Sequence, residues 1–320
     1  MKKGVWLGVI GILLLGGLVV QPKSVQATSL KSERSAIKKI AKQDLKSLGG
    51  RWSVQITRLG KQPLSVQTGN HKIGRQRSAS TIKVFIMLTI YHRVQKHQIK
   101  LTAQNQQDLT LMIHNSDNAA ANRLITRAGG LKMVTKTAHQ FGFKQTSLQR
   151  HLLDTAALQR GYDNYTSVQD LTAFLTKMYR HQLLGKTYDR KMLTLLKGCR
   201  NHSKLPYLVK NATVYNKTGE YPDKGVQNDA ALFKTKYGVY SIVVLAQSGS
   251  QVQQYRGMNR LGRDIVTYLN QHPAKQSRQN TSSHLTLQPR LSSLVAIVSL
   301  ENSAKPTMLP KFFDHGYFER

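Results

Sequence analysis

The sequence predicts a mixed α/β fold of the α+β type, with one antiparallel sheet flanked by the terminal helices of the domain and a separate all-helical lobe. Three observations predict it. Strand-like runs cluster at the two ends of the domain: Arg51–Leu59 and Leu64–Thr68 early, Ala212–Gly219, Val226–Phe233 and Val239–Ala246 late. Segments with helical spacing of apolar residues fill the space between them. Amphipathic helical patterns bracket the whole, at Thr28–Leu48 and Gln253–Gln271. Early and late strands then join one sheet, and the intervening helices pack as a lobe of their own.

The chain opens with a candidate export signal. Lys2 and Lys3 precede an apolar run of 16 residues, Val5 to Val20, and Val25-Gln26-Ala27 places small residues where a signal peptidase reads. Cleavage after Ala27 is expected. A retained anchor is the alternative, although the run is short for a spanning helix. A secreted or extracellular, wall- or membrane-associated location follows. The single cysteine, Cys199, excludes an intrachain disulfide, so packing must hold the fold. A structural thiol is expected there.

The 320 residues carry a formal charge of +33, with 48 Lys and Arg against 15 Asp and Glu. Residues 1–27 hold only Lys2, Lys3 and Lys23, so +30 remains after cleavage. A field of that sign attracts polyanions. Inside a cell these would be nucleic acids. After export they are phosphate-rich wall polymers or anionic lipid headgroups, with no nucleic acid, unless the charge is simply a solvated surface.

Taken in order, Thr28–Leu48 repeats Leu30, Ile37, Ile40, Ala41, Leu45 and Leu48 near helical spacing and stops at Gly49-Gly50. Arg51–Leu59 alternates through Trp52, Val54 and Ile56, and Leu64–Thr68 follows the Gly60–Pro63 turn. Gly69–Arg77 reads as a basic link. From Val84 to Tyr91 the residues are apolar nearly all round, the mark of a buried helix. Arg93–Gln107 reads as a polar stretch. Leu109–Thr126, Leu131–Phe141, Ser167–Arg180 and Tyr188–Cys199 read as helices, and Ser147–Thr166 mostly as loop. The three late strands form a meander, and Gln253–Gln271 closes a domain spanning 28–272. Pro273–His284 reads as a polar linker and Leu285–Arg320 as a tail of unassigned role, its apolar run Leu294–Leu300 far too short to span a membrane.

Three motifs carry chemistry. In Ser80-Thr81-Ile82-Lys83 a hydroxyl and an amine three residues apart share a helix face. A lysine drawn into an apolar core tends to lose its proton, and a neutral amine can serve as base for the serine. In Ser116-Asp117-Asn118 the hydroxyl can pass a proton and Asn118 can hydrogen-bond an amide, while Asp117 braces the loop. In Lys217-Thr218-Gly219 the lysine supplies charge, Thr218 a hydroxyl, and Gly219 room for close backbone approach. No cofactor or metal is expected, and the protein is read as a monomer.

With these three motifs in this order, the chain over about residues 29–272 resembles the penicillin-recognising serine hydrolases, most closely the class A β-lactamase group, of which the motif set is the signature. The resemblance implies a β-lactamase/transpeptidase-like fold. It also implies that Ser80 is the acylated nucleophile, Lys83 its activator and Ser116 the proton relay to the leaving nitrogen. By the same resemblance Lys217 and Thr218 hold a substrate carboxylate, and Asn118 holds a substrate amide. Backbone N–H groups of Ser80 and Glu220, the latter following Gly219, form the oxyanion hole.

Two departures stand out. Class A enzymes carry a glutamate two residues after an arginine matched here by Arg150, and that position is Leu152. Asp163 is expected to pair with Arg150 and close the loop, as a comparable pair does in the family. Asp154 is the remaining substitute base, off by two positions. The second departure is that Ser116 follows Ser80 by only 36 residues, so a wall of the cleft is shortened and the cleft should be open. Three functions follow: a β-lactam hydrolase with slow deacylation, a hydrolase or penicillin-binding protein acting on D-Ala-D-Ala-like wall peptides, or a non-catalytic basic wall-binding protein.

Overall fold

A computed structural model describes residues 29–60 and 62–274. The expected leader, and all but the first two residues of the expected linker and tail, lie outside the described residues. Helix α1 (Leu30–Leu45) starts at Ser29, whose side chain accepts from Ser32 N. It leads into β1 (Arg51–Leu59), β2 (Leu64–Gly69) and the two-residue β3 (Gln76–Arg77). A 3₁₀ turn, Ala79–Ile82, opens α2 (Lys83–Gln95), followed by α3 (Ala103–His114), α4 (Asn118–Arg127) and α5 (Leu131–Gln140). Next come α6 (Thr155–Gln159), β4 (Tyr165–Thr166), α7 (Val168–Tyr179) and α8 (Gly185–Lys197). The domain ends with β5 (Thr213–Tyr221), β6 (Val226–Thr235), β7 (Gly238–Gln247) and α9 (Gln251–Gln271).

The main sheet has the order β2-β1-β7-β6-β5, antiparallel throughout. The late meander thus attaches to the early hairpin through β1 and β7, with Val54 opposite Val244 and Ile56 opposite Ile242. One face carries Val54, Ile56, Phe233, Ile242 and Val244 against Ile37, Ala41, Met258 and Leu261 of the terminal helices. The other face carries Ala230, Leu232, Val243 and Leu245 into the core of the helical lobe. A strand covered on both faces reads as a nearly continuous apolar run, as Ile242–Ala246 of β7 does, whereas β6 buries Gln227, Asn228 and Asp229 ahead of its apolar Ala230–Phe233. A buried ion pair ties α1 to the sheet, with Arg58 Nη2 donating to Glu33 Oε2 at 3.1 Å.

Helix α2 is the axis of the lobe. Every residue from Lys83 to Tyr91 is buried, with α3, α4, α5 and α8 packed around it. Phe85 sits between Phe143 and Phe174 at 5.3 and 5.6 Å between ring centroids.

Sequence expectation and structure differ where local signals are weak. Helix α3 begins at Ala103 inside the stretch read as polar, because Thr102 caps it by accepting from Asn105 N, and Asn105 and Asp108 face inward. The region read as loop at 147–166 contains α6 and β4. Strand β4 pairs with β3, which lies in the segment read as a basic link, and two-residue strands carry no periodicity to detect. Helix α8 ends at Lys197, leaving Cys199 beyond it, buried as a free thiol.

Helix α9 packs tightly enough to need glycine. A Cβ on Gly262 would stand 1.9 Å from Leu205 O. Alanine normally stabilises a helix interior by about 1 kcal/mol over glycine. Here a backbone carbonyl blocks it, and overpacking costs about 1–3 kcal/mol. Gly262→Ala should therefore lower the thermal midpoint. An unchanged or raised midpoint would show that the Leu205 segment yields freely.

Candidate active site

The turn that presents Ser80 is pinned from several sides. Ala79 has a left-handed backbone, φ +43°. Thr81 N and Thr81 Oγ1 both donate to Ser78 O, at 3.1 and 2.7 Å. Asn228 Nδ2, from β6, donates to Arg77 O at 2.8 Å and to Ser78 O at 3.0 Å. Ser78 N donates to Asn164 O at 2.9 Å. Strand β5 passes directly over this turn. A Cβ on Gly219 would meet Ser78 O, Thr81 N and Ser80 N at 2.8–3.0 Å, so the motif glycine is what lets strand and turn touch.

Lys83 has no solvent exposure. Its Nζ lies 3.0 Å from Ser80 Oγ, 3.1 Å from Ser116 Oγ, 2.6 Å from Ser116 O and 2.8 Å from Asn118 Oδ1. Burial, and then the charge of Lys217, lower its pKa to about 6, against a smaller opposing effect of Asp117. Near pH 7 the amine is therefore mostly neutral, with two N–H bonds and one lone pair. Ser116 O and Asn118 Oδ1 can only accept, so they take the two N–H bonds. The lone pair is then left for the serine hydroxyls, and the amine is set to receive the Ser80 proton.

Ser116 sits in a left-handed backbone, φ +56°, which turns the chain between α3 and α4. Lys217 Nζ donates to Ser116 Oγ at 2.9 Å and to Thr218 O at 2.9 Å. Burial lowers the Lys217 pKa to about 8, so it remains mostly a cation at neutral pH. Asp117 points into the helix it starts, accepting from Ala120 N at 2.6 Å. The Glu220 carboxylate is taken up by Lys204 at 2.6 Å, Asn201 at 3.0 Å and Tyr255 at 3.1 Å, which leaves its backbone N–H as the group it can offer.

The loop opposite is braced where the sequence expects it. Arg150 Nε donates to Asp163 Oδ1 at 2.9 Å, and Arg77 adds a second guanidinium to the same carboxylate. Asn122 grips the backbone of Leu152, accepting from its N at 2.8 Å and donating to its O at 3.0 Å. Leu152 thereby lines a cleft of about 240 Å³ together with Ser80 and Asn118. Asp154 borders the cleft too, but its Oδ1 accepts from Ala157 N at 2.8 Å and caps α6.

Sequence reasoning missed Arg77, Asn122, Asn164 and Asn228. Asn122 alone left a signal, lying four residues after Asn118 and so on the same helix face. Among the described residues, no group of three or more His, Cys, Asp or Glu is placed to hold a metal ion. Ser80, Lys83, Ser116, Asn118 and Lys217 converge; this arrangement can activate a hydroxyl for attack on a carbonyl and return a proton to the departing group.

A family model described as the beta-lactamase enzyme family matches residues 104–269. No curated protein matches the chain in sequence. Among solved structures, the beta-lactamase from Sphaerobacter thermophilus DSM 20745 is 20% identical, with a TM-score of 0.63 over 75% of this chain and 98% of that one. PBP-A is 20% identical, with a TM-score of 0.65 over 74% and 97%. A leucine-to-glutamate variant of PBP-A has been solved as an acyl-enzyme complex with penicillin G. The TLA-1 extended-spectrum beta-lactamase is 18% identical, with a TM-score of 0.65 over 74% and 99%. At these identities the likeness is one of fold.

The lysine pair gives a direct test of the electrostatics. Side-chain NMR should show Lys83 titrating at about 6 and Lys217 at about 8, while ordinary lysines titrate at about 10.4. Lys217→Ala removes a neighbouring positive charge and should move Lys83 upward. A Lys83 resonance titrating in the ordinary range would contradict the neutral amine.

Proposed function

The chain belongs to the beta-lactamase enzyme family, and from that premise we propose that it is an exported serine hydrolase that acylates quickly on Ser80 and releases the acyl group slowly. The observation that carries the reading is the Lys83 amine, 3.0 Å from Ser80 Oγ with both of its N–H bonds committed elsewhere. Ser80 Oγ attacks the carbonyl carbon of the β-lactam amide as its proton passes to Lys83. The oxyanion is met by the N–H groups of Ser80 and Glu220. As the C–N bond breaks, Ser116 gives its proton to the nitrogen and is resupplied from Lys83. Lys217 stays charged and, with Thr218, holds the substrate carboxylate, while Asn118 Nδ2 is left to face the acyl side chain.

Release of the acyl group needs a water stripped of a proton. Leu152 offers no acceptor at the position where class A enzymes place a glutamate. Asp154, the substitute weighed from sequence, is engaged as the α6 cap. The absence of a deacylating base also favours, as a second reading, a D-Ala-D-Ala-type wall-peptide hydrolase or penicillin-binding protein with the same acylation chemistry. The intact site weighs against a purely wall-binding role.

Wall or membrane-surface association is supported by charge. Helix α1 exposes Lys31, Arg34, Lys38, Lys39 and Lys42, and Lys46 follows it, whereas its two acids, Glu33 and Asp44, are buried. The leader at residues 1–27 supports export.

Stopped-flow kinetics with a chromogenic cephalosporin should show a burst of one equivalent and then a slow steady rate. Leu152→Glu should raise the steady rate by about 10²–10⁴-fold, the usual worth of a positioned base. Asp154→Asn should change little. Rapid turnover without a burst, abolished in Asp154→Asn, would make Asp154 the base.

The acylation rate should rise with pH through about 6, as Lys83 loses its proton, and fall above about 8, as Lys217 loses its own. A profile flat from pH 5 to 9 would remove both lysines from the step. Retention on isolated cell walls should drop steeply as salt shortens the screening length from about 30 Å at 0.01 M to about 8 Å at 0.15 M. Salt-independent retention would point to a specific wall ligand instead.

A further inference from the structure

A second recess, of about 700 Å³, adjoins the first cleft. Ser116 and Lys217 border it, whereas Ser80 and Asn118 border the first. The Ser116–Lys217 hydrogen bond therefore divides the two. The rest of the recess comes from the end of α3 and the segment between α8 and β5, chiefly His114, Arg200, Asn201, His202 and Tyr207. None of its lining residues is acidic. Arg200 is exposed, and among the described residues its guanidinium forms no ion pair. Burial and the adjacent Arg200 charge hold the His114 imidazole below its ordinary pKa, so the fixed positive charge comes from Arg200 and Lys217.

The segment is preorganised. Arg200 N donates to His114 O at 3.0 Å. Asn201 O accepts from Asn216 Nδ2 of β5 at 3.1 Å, and Asn201 Oδ1 accepts from Ser203 N and Oγ at 3.1 and 2.6 Å. Asn201 Nδ2 donates to Glu220 at 3.0 Å. Arg200 is thus fixed at both flanks, and its side chain does not pay to order the backbone that presents it.

We propose that this recess is a subsite for a second carboxylate on the leaving-group side of the substrate, with Arg200 as its main determinant and His202 beside it. The inference rests on the serine-hydrolase reading above. There Ser116 protonates the leaving nitrogen, and Lys217 with Thr218 holds the first carboxylate next to it. Whatever extends beyond that carboxylate enters the recess, which is far larger than one carboxylate needs. An acid-free, arginine-bearing wall there selects an anionic extension over a neutral one, so Arg200 determines specificity and takes no part in bond making.

The test uses two cephalosporins that differ only at the ring substituent on the side of the leaving nitrogen, one ending in a carboxylate and the other in its neutral amide. Acylation rate constants are measured for both by rapid-quench mass spectrometry at low salt. The carboxylate should acylate faster by about fivefold, the upper range for a partly exposed charge pair. Arg200→Gln should bring the ratio close to one, and Arg200→Glu should invert it; both changes lie on an exposed side chain. A ratio near one in the unaltered protein, or a preference that survives in Arg200→Gln, overturns the subsite. Absence of acylation by either compound overturns the serine-hydrolase reading and the subsite with it.

Discussion

The Lys83 side chain is fully buried at the head of a helix that is covered on every face through Tyr91, and its amine must find partners there or lose its proton. It does both. An unpaired buried ammonium would cost several kcal/mol. Instead, Ser116 O and Asn118 Oδ1 take the N–H bonds and burial removes the remaining proton. That requirement explains the local architecture. Residues 116–118 must turn back onto α2, and Ser116 holds a left-handed backbone to do so. Such strain in a non-glycine residue persists only where its surroundings over-determine it, here through Lys83, Lys217 and the Asp117 cap.

The same constraint joins the two halves of the molecule. Lys217 reaches Ser116 from β5, so the edge of the sheet must lie against the helical lobe at one fixed distance. Gly219 permits that approach by having no side chain between strand and turn. Asn228, one strand further in, binds the carbonyls of Arg77 and Ser78 and fixes the turn to the sheet. From the other side, Asn164 and the shared Asp163 carboxylate tie the loop carrying Leu152 to the same turn. Ser80, Lys83, Ser116 and Lys217 are therefore positioned by rigid elements and the turns pinned to them, whereas Leu152 sits on a braced loop.

Much of this was legible in the sequence. The apolar run of β7, the apolar second half of β6 and the stripes of α1 and α9 reveal the sheet and its cover, because burial imposes period and composition directly. The three motifs pick out the side chains that converge, Ser80, Lys83, Ser116, Asn118 and Lys217. The Arg150–Asp163 pair was expected from the resemblance, and the two side chains do meet. What was not legible depends on long-range partners. Strands β3 and β4 are too short to carry a pattern, and Arg77 looked like one more base in a basic link. Asn164 and Asn228 are ordinary polar residues until the fold brings backbone groups to them. The Asp154 carboxylate was equally ambiguous, since a free base and a helix cap look alike until α6 is seen to begin there.

On the proposed function, Ser80 is the nucleophile of a site built to acylate and poorly equipped to deacylate. Intact-mass spectrometry after mixing with a penicillin, followed by peptide mapping over time, tests it most directly. A single adduct of the penicillin mass is expected on the peptide bearing Ser80, formed rapidly, decaying slowly and absent in Ser80→Ala. No adduct in the unaltered protein, or an adduct that persists in Ser80→Ala, would contradict it.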